Sequence, residues 1–268
     1  MIKKHINSYH SHTILCGHAG GRPIDYVKEA IKHNFKELGI SEHAPMANLR
    51  NKNSRLHEKD YQKYFKLLDE AKKFASLNNI KFYKGLEIEY FNHTKVYEHY
   101  LNDLDYLILG QHYIYKDNKY ISTFKFNTLE EIIIYRDTVI EALKTGYFNM
   151  LCHPDLCFFN IDNPTDEMYE ALRPVIKLAK KLDIPLELNA NGIRRAVLEG
   201  KVTEFSNIKY PRVKFFEMVA EEGAKVIISS DAHNVAALND FAILESYKMA
   251  EDLNLNVIYK LKMNYFKK

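Results

Sequence analysis

Two hydrophobic rhythms take turns along the chain. Short apolar runs, the mark of buried strands, alternate with longer stretches whose apolar residues recur every three or four positions, the mark of amphipathic helices. The pattern predicts a first strand running up to Tyr9, then a helix over Ile24–Asn34, opened by Pro23, with Ile24, Val27, Ala30 and Ile31 on one face. Further strands are expected at Glu37–His43, Lys81–Tyr90, Tyr106–His112, Phe148–Asp155, Ile184–Asn189 and Lys225–Ser230. Helical patterns separate them over Asp60–Leu77, Thr94–Asn102, Thr128–Thr145, Asp166–Leu182 and Val213–Glu222, and a last one covers Ala236–Asp252. Thr128 is the expected cap of its helix, with Glu131 at the capping-box position and Gly146 as the stop. Tyr113–Asn127, polar and aromatic, fits neither rhythm and is expected to be a long loop over a site.

Seven strand-then-helix units imply a parallel α/β sheet closed into a TIM-like barrel, and no Pro/Gly/Ser-rich linker divides it, so one domain, 1–268, is expected. Chemistry in such barrels sits at the C-terminal ends of the strands. Polar residues gather there: His10 and His12 end the first strand, His43 the second, Glu87 the third, His112 the fourth, His153 the fifth, and Asp231 with His233 the seventh. The sixth ends instead at Asn189, Asn191 and Arg194.

Composition narrows the picture. A 46% hydrophobic and 27% charged chain has the balance of a soluble globular protein. A formal charge of +3, with basic residues no denser than pairs such as Arg194-Arg195, gives nucleic acid no track to bind. No apolar run is long enough to span a bilayer and no leader precedes the first strand, which points to the cytoplasm. Cys16, Cys152 and Cys157 match no zinc knuckle or disulfide framework. Twelve histidines are the excess that needs explaining.

Residues two apart on a strand point the same way, so His10 and His12 present two imidazoles to one ion, and His18 follows closely enough to serve another. Imidazole and carboxylate without thiolate suit zinc, manganese or iron rather than a structural zinc site. Nine such side chains are too many for one ion, and a multinuclear clamp suits in-line displacement at phosphorus. Hydrolysis of a small phosphate ester is the leading expectation.

In this order His10-Ser-His-Thr13, Cys16-Gly-His-Ala19, Ser41-Glu-His-Ala-Pro45, Gly85-Leu-Glu87, His153-Pro-Asp155 and Ser230-Asp-Ala-His233 resemble the polymerase and histidinol phosphatase (PHP) family. Within it, the Cys-x-His-Ala and Glu-His-Ala-Pro forms and Asn189–Arg194 resemble the histidinol-phosphate phosphatase branch. The resemblance implies a distorted (β/α)7 barrel holding three divalent ions. His10, His12, Glu87 and Asp231 would hold the first; Glu87, bridging, with His112 and His153 the second; His18, His43 and His233 the third. Gly110-Gln111-His112-Tyr113 departs from the branch's Ser-x-His form, which puts the contribution of the following loop to specificity in question.

The implied reaction is conversion of L-histidinol phosphate to L-histidinol and phosphate, a step of histidine biosynthesis. Asp231, Glu87 and Arg194 are the expected catalytic groups, with Arg194, or Arg195 in its place, on the phosphate. Asn189, Asn191, Tyr113, Phe158 and Asp155 are the remaining expected substrate contacts, supported by Tyr115, Phe126, Phe159 and Asp162. Glu89, on the face of Glu87, is expected to support a ligand. A PHP-family nucleotide phosphoesterase and a general small-molecule phosphatase stay open, as does the oligomeric state. An amidohydrolase is disfavoured, because no lysine stands beside His112 to bridge two metals.

Overall fold

The structure, a computed structural model, describes residues 5–46, 49, 54–198 and 208–263. The ends of the expected 1–268 domain, 1–4 and 264–268, lie outside the described residues. Eight parallel strands form one curled sheet: β1 (Asn7–Ser8), β2 (Glu37–His43), β3 (Lys81–Ile88), β4 (Tyr106–Leu109), β7 (Met150–Leu151), β8 (Leu186–Asn189), β9 (Lys225–Ser229) and β10 (Asn256–Ile258), neighbours in that order. The two remaining strands, β5 (Tyr113–Lys116) and β6 (Lys119–Ser122), form a hairpin of their own.

Helices α1 (Pro23–Lys32), α2 (Tyr61–Leu77), α3 (Tyr97–Asp103), α4 (Leu129–Lys144), α5 (Asp166–Leu182), α6 (Ala190–Leu198), α7 (Val213–Glu222) and α8 (Phe241–Asp252) connect the strands. The main core lies between sheet and helices, where Val27, Leu68, Val139, Ile176 and Phe216 meet Leu38, Leu86, Leu109 and Leu188. Thr128 caps α4 and forms the expected box with Glu131. This is the distorted barrel of seven strand–helix units, with one short strand added.

Four expectations need correction. Residues 113–127 are not an open loop. Tyr113-Ile-Tyr-Lys and Lys119-Tyr-Ile-Ser pair across Asp117 and Asn118, both at positive φ, the geometry that right-handed strand twist selects for a two-residue hairpin. The alternation buries Ile114 completely, so the hairpin is docked on the body rather than hanging over it. The last helix begins at Phe241, not Ala236, because Asp240 caps it; residues 235–239 form a separate 3₁₀ turn capped by Asn234. The weak helix after β3 starts at Tyr97 rather than Thr94. Finally β10, unforeseen because it is three residues long, pairs with the lower part of β9.

Closure is uneven from top to bottom. Near the C-terminal ends of the strands, Ser11 bridges Ala232 and His12 N–H donates to Ala232 O at 2.8 Å, which draws the ligand-bearing ends of the first and seventh units together. Lower down β10 occupies the seam, and Asn7 Nδ2 donates to Tyr259 O at 2.7 Å. Tyr9, Tyr83, Tyr106, Ile108, Met150, Cys152 and Ile227 fill the interior with Leu261 and Met263. A Cβ at Gly39 or Gly85 would collide with the Tyr106 ring, so these glycines let that ring lie across the barrel and donate to Tyr9 O. The packed floor closes the barrel interior below the C-terminal mouth. Among the described residues no helix is long and apolar enough to cross a membrane.

Candidate metal centre and its cavity

Parallel register brings the ligands together: His43 pairs with Glu87, and Asn189 with Ser229 two residues before Asp231. Glu87 is the hub. Its Oε2 lies 3.4 Å from both His10 Nε2 and His12 Nε2 and 2.8 Å from His43 Nδ1. Its Oε1 lies 2.8 Å from His153 Nε2 and 3.7 Å from His112 Nε2. Room for this carboxylate comes from Gly110, where a Cβ would overlap it. Asp231 Oδ1 lies 3.1 Å from His12 Nε2 and 3.5 Å from His10 Nε2, while those two nitrogens stand 3.1 Å apart. On the outer side His18 Nε2 and His233 Nε2 are 3.0 Å apart, and the His43 ring centre is 5.4 Å from that of His18.

The structure thus brings all nine expected ligands into one centre. His10, His12 and Asp231 form one compact group. His43 falls in two further groups, with Glu87 and His112 and with His12 and His233, so it lies between the second and third implied sites. The Cys152 thiol faces the His10 and Glu87 side from below. Two ligands take backbone conformations that L-residues rarely adopt, His153 at φ 28° and Asp231 at φ 45°, strain that persists where it serves a site.

The charge distribution fits cations. Among the described residues Glu87 Oε2 and Asp231 Oδ1 are buried and accept no well-aligned hydrogen bond, with imidazole nitrogens as neighbours, an arrangement that suits positive charge. Burial works against ionisation of both carboxyls, yet the surrounding imidazoles hold each well below the usual carboxylate range. Carboxylates overcome burial at three imidazoles: Glu187 and then Asp231 raise His10, Glu87 and then Glu187 raise His153, and Asp231 with Glu42 raises His12 to about 9. Burial, helped by the charge on His12, lowers His43 to about 3 and His233 to about 4, and it also lowers His18. The outer trio therefore presents neutral imidazoles, the form that coordinates.

Behind the imidazoles stands a row of carboxylates. Glu187 Oε1 contacts His10 Nδ1 at 2.6 Å, and its Oε2 accepts from His153 N and Asn189 Nδ2. Glu42 Oε1 lies 3.4 Å from His12 Nδ1 while Oε2 accepts from Thr13 N and Oγ1. Glu89 Oε1 contacts His112 Nδ1 at 3.1 Å. Each carboxylate turns the other nitrogen, Nε2, towards the centre. Glu89 thus lies behind His112, one of the expected ligands, whereas Glu42 and Glu187 were not anticipated. Their signal was present: Glu187 interrupts the apolar run Leu186-Glu187-Leu188, and a fully buried carboxylate must have a partner.

A cavity of about 430 Å³, of a size for a small metabolite, opens over the centre. Of the expected substrate contacts, Tyr113, Asn191 and Arg195 line it. Arg194 does not. Its guanidinium is buried and committed to Asp240, at 2.6 and 3.1 Å, and to Ser230 O and Ala237 O, so it clamps the segment before Asp231 onto the cap of α8. Asn189 is also off the wall; it donates to Asp231 Oδ2 at 3.1 Å and leaves Oδ1 to face the ligands.

Phe158 is in the core against Tyr169, and Phe126 is buried beside Tyr135. Asp155, its carboxyl raised to about 6 by burial, accepts from Arg212 N, while Asp162 is exposed and paired with Lys209. Tyr115 packs outside at a tilt against His93 and Tyr120. Phe159 lies behind the wall, under the Arg195 guanidinium and beside Phe124. Sequence reasoning missed Ser54, Arg55, Ser122, Phe124, Leu156 and Tyr210 on the wall, because their approach depends on how loops of separate units fold over the mouth.

Comparison with known proteins agrees with this geometry. The family model described as "PHP domain" matches residues 8–191. The chain is 27% identical to a probable histidinol-phosphatase of Deinococcus radiodurans, over 91% of this chain and 92% of that protein. It is 24% identical to a probable phosphatase of Clostridium acetobutylicum, over 98% of this chain and 95% of that one. Histidinol phosphate phosphatase of Lactococcus lactis, solved in complex with zinc, L-histidinol and phosphate, has the same fold at a TM-score of 0.70 and 16% identity, over 96% of this chain and 99% of that one.

Proposed function

The chain belongs to the PHP domain family, and from that premise we propose that it is a metal-dependent phosphomonoesterase that hydrolyses L-histidinol phosphate to L-histidinol and phosphate. The observation that carries the reading is the convergence of nine imidazole and carboxylate ligands, backed by three buried carboxylates, beneath a cavity with an arginine on its wall. The proteins named as histidinol phosphatases support the choice of substrate.

In this reading His10, His12, Glu87 and Asp231 hold one divalent ion, Glu87, His112 and His153 a second, and His18, His43 and His233 a third. Zinc, manganese and iron all suit the donor set, and zinc is the metal in the Lactococcus lactis complex. Bound ions supply Lewis-acid stabilisation of charge at phosphorus and lower the pKa of coordinated water. The chain's own residues do the rest. Glu87 and Asp231 hold the centre's geometry, Asn189 and Asn191 fix the Asp231 carboxylate, and Glu42, Glu89 and Glu187 fix the imidazole tautomers. Arg195 and Asn191 receive the non-bridging phosphate oxygens, and Tyr113, Phe124 and Tyr210 flank the leaving group.

One observation favours a broader second reading. Among the described residues the cavity wall carries no carboxylate besides Glu87 and Asp231, so the expected contact Asp155 and its support Asp162 offer no partner to a substrate amine. A general small-molecule phosphatase needs no such group. The two readings separate on a substrate panel with zinc or manganese present. L-histidinol phosphate is expected to exceed p-nitrophenyl phosphate, glycerol phosphates and mononucleotides in kcat/KM by about a hundredfold, the worth of one or two polar contacts. Equal rates would leave a general phosphatase, and preference for a nucleotide would favour a nucleotide phosphoesterase.

A further inference from the structure

Two of the three supporting carboxylates are completed by nearby chain groups: Glu42 by Thr13, Glu187 by His153 N and Asn189. Glu89 is met instead by a guanidinium from the connection between β2 and α2. Arg55 Nη2 donates to Glu89 Oε1 at 2.8 Å and Nη1 to Oε2 at 3.1 Å, a two-pronged pairing with both side chains buried. The same Oε1 contacts His112 Nδ1. Arg55 Nη1 also donates to Ala44 O at 3.0 Å, and the adjoining Leu56 N–H donates to His43 O at 3.0 Å. One side chain therefore joins the carboxylate behind His112 to the strand end that carries His43.

We propose that Arg55 is a positioning residue of the metal centre. It clamps Glu89 so that His112 keeps its proton on Nδ1 and turns Nε2 towards Glu87 Oε1, and it locks that arrangement to the end of β2. The inference rests on the reading of the centre as metal-binding. Lysine is no substitute, because an ammonium cannot meet both carboxylate oxygens and Ala44 O from the fixed plane of a guanidinium. Removal of the clamp frees Glu89 to rotate, and that alters the aim of His112. The second ion, which has His112 as one of three protein ligands, then loses affinity before the group formed by His10, His12 and Asp231 does.

The probe is the metal alone. Wild type, Arg55→Met, Arg55→Lys, Glu89→Gln and the Arg55→Met/Glu89→Gln double variant are titrated with manganese and zinc in chelator-buffered solutions, and bound metal is counted. Circular dichroism checks each fold; if Arg55→Met does not fold, Arg55→Lys and Glu89→Gln carry the test. One ion, the one assigned to His112 and His153, is expected to lose 10- to 100-fold in affinity in Arg55→Met and in Glu89→Gln, with the tightest ion unchanged. The double variant is expected to be no weaker than either single one, because Arg55 acts through Glu89. Metal affinities within twofold of wild type would overturn the proposal, whether KM rises instead, as for a direct substrate contact, or only thermal stability falls. No substrate enters the measurement, so its failure and that of the histidinol-phosphate reading are separate results.

Discussion

Glu87→Gln is expected to lower kcat/KM by at least about 10³-fold and to reduce the number of ions held, with the fold intact. Glu87 Oε2 sits against His10, His12 and His43, and Oε1 against His153 and His112, so one carboxylate touches five of the other eight expected ligands. A glutamine fills the same space above Gly110 but replaces one oxygen with an N–H donor and removes the charge that shared ions need. Asp231→Asn is expected to cost similar activity but fewer ions, because Oδ1 faces His10, His12 and His233, whereas Glu87 also reaches His112 and His153. Activity within tenfold of wild type with full metal content in Glu87→Gln would contradict the hub assignment. Circular dichroism and thermal melts separate loss of metal from loss of fold.

The neighbouring arginines are expected to fail in opposite ways. Arg195→Ala removes the exposed cation on the cavity wall and should lower kcat/KM by about 10²–10³-fold, with metal content and melting temperature unchanged. Arg194→Ala leaves Asp240 without its buried partner and strips donors from Ser230 O and Ala237 O. It should destabilise the protein by about 3 kcal/mol, the low end for a broken buried pair because Asp240 is partly solvated. Urea titration measures the second effect and phosphate release the first. If Arg194→Ala were inactive yet fully stable while Arg195→Ala were silent, the assignment of the two residues would be reversed.

These two arginines also show where sequence ceases to be informative. The strand-end histidines were legible because each lies at a fixed offset from an apolar run, and parallel register turns that offset into a shared mouth. The helices were legible for the same reason of period, α5 to the residue. Arg194 and Arg195 are adjacent on α6 and therefore point about 100° apart, and tertiary partners, Ser230 O, Ala237 O and Asp240, bury the first of them. Arg55, Phe124 and Tyr210 reach the wall from three separate loops, and no local pattern encodes that meeting. Tyr113–Ser122 is a different kind of miss, since its alternation and its Asp-Asn turn were readable as a hairpin.

The central claim, that this barrel mouth is a multinuclear divalent centre, is tested most directly by metal analysis of the reconstituted protein together with anomalous scattering from its crystals. The account predicts more than one ion per chain and up to three. Anomalous peaks are expected between His10, His12 and Asp231, beside His112 and His153, and beside His18 and His233, with Glu87 adjoining the first two. A stoichiometry that never exceeds one ion per chain under any reconstitution would contradict it.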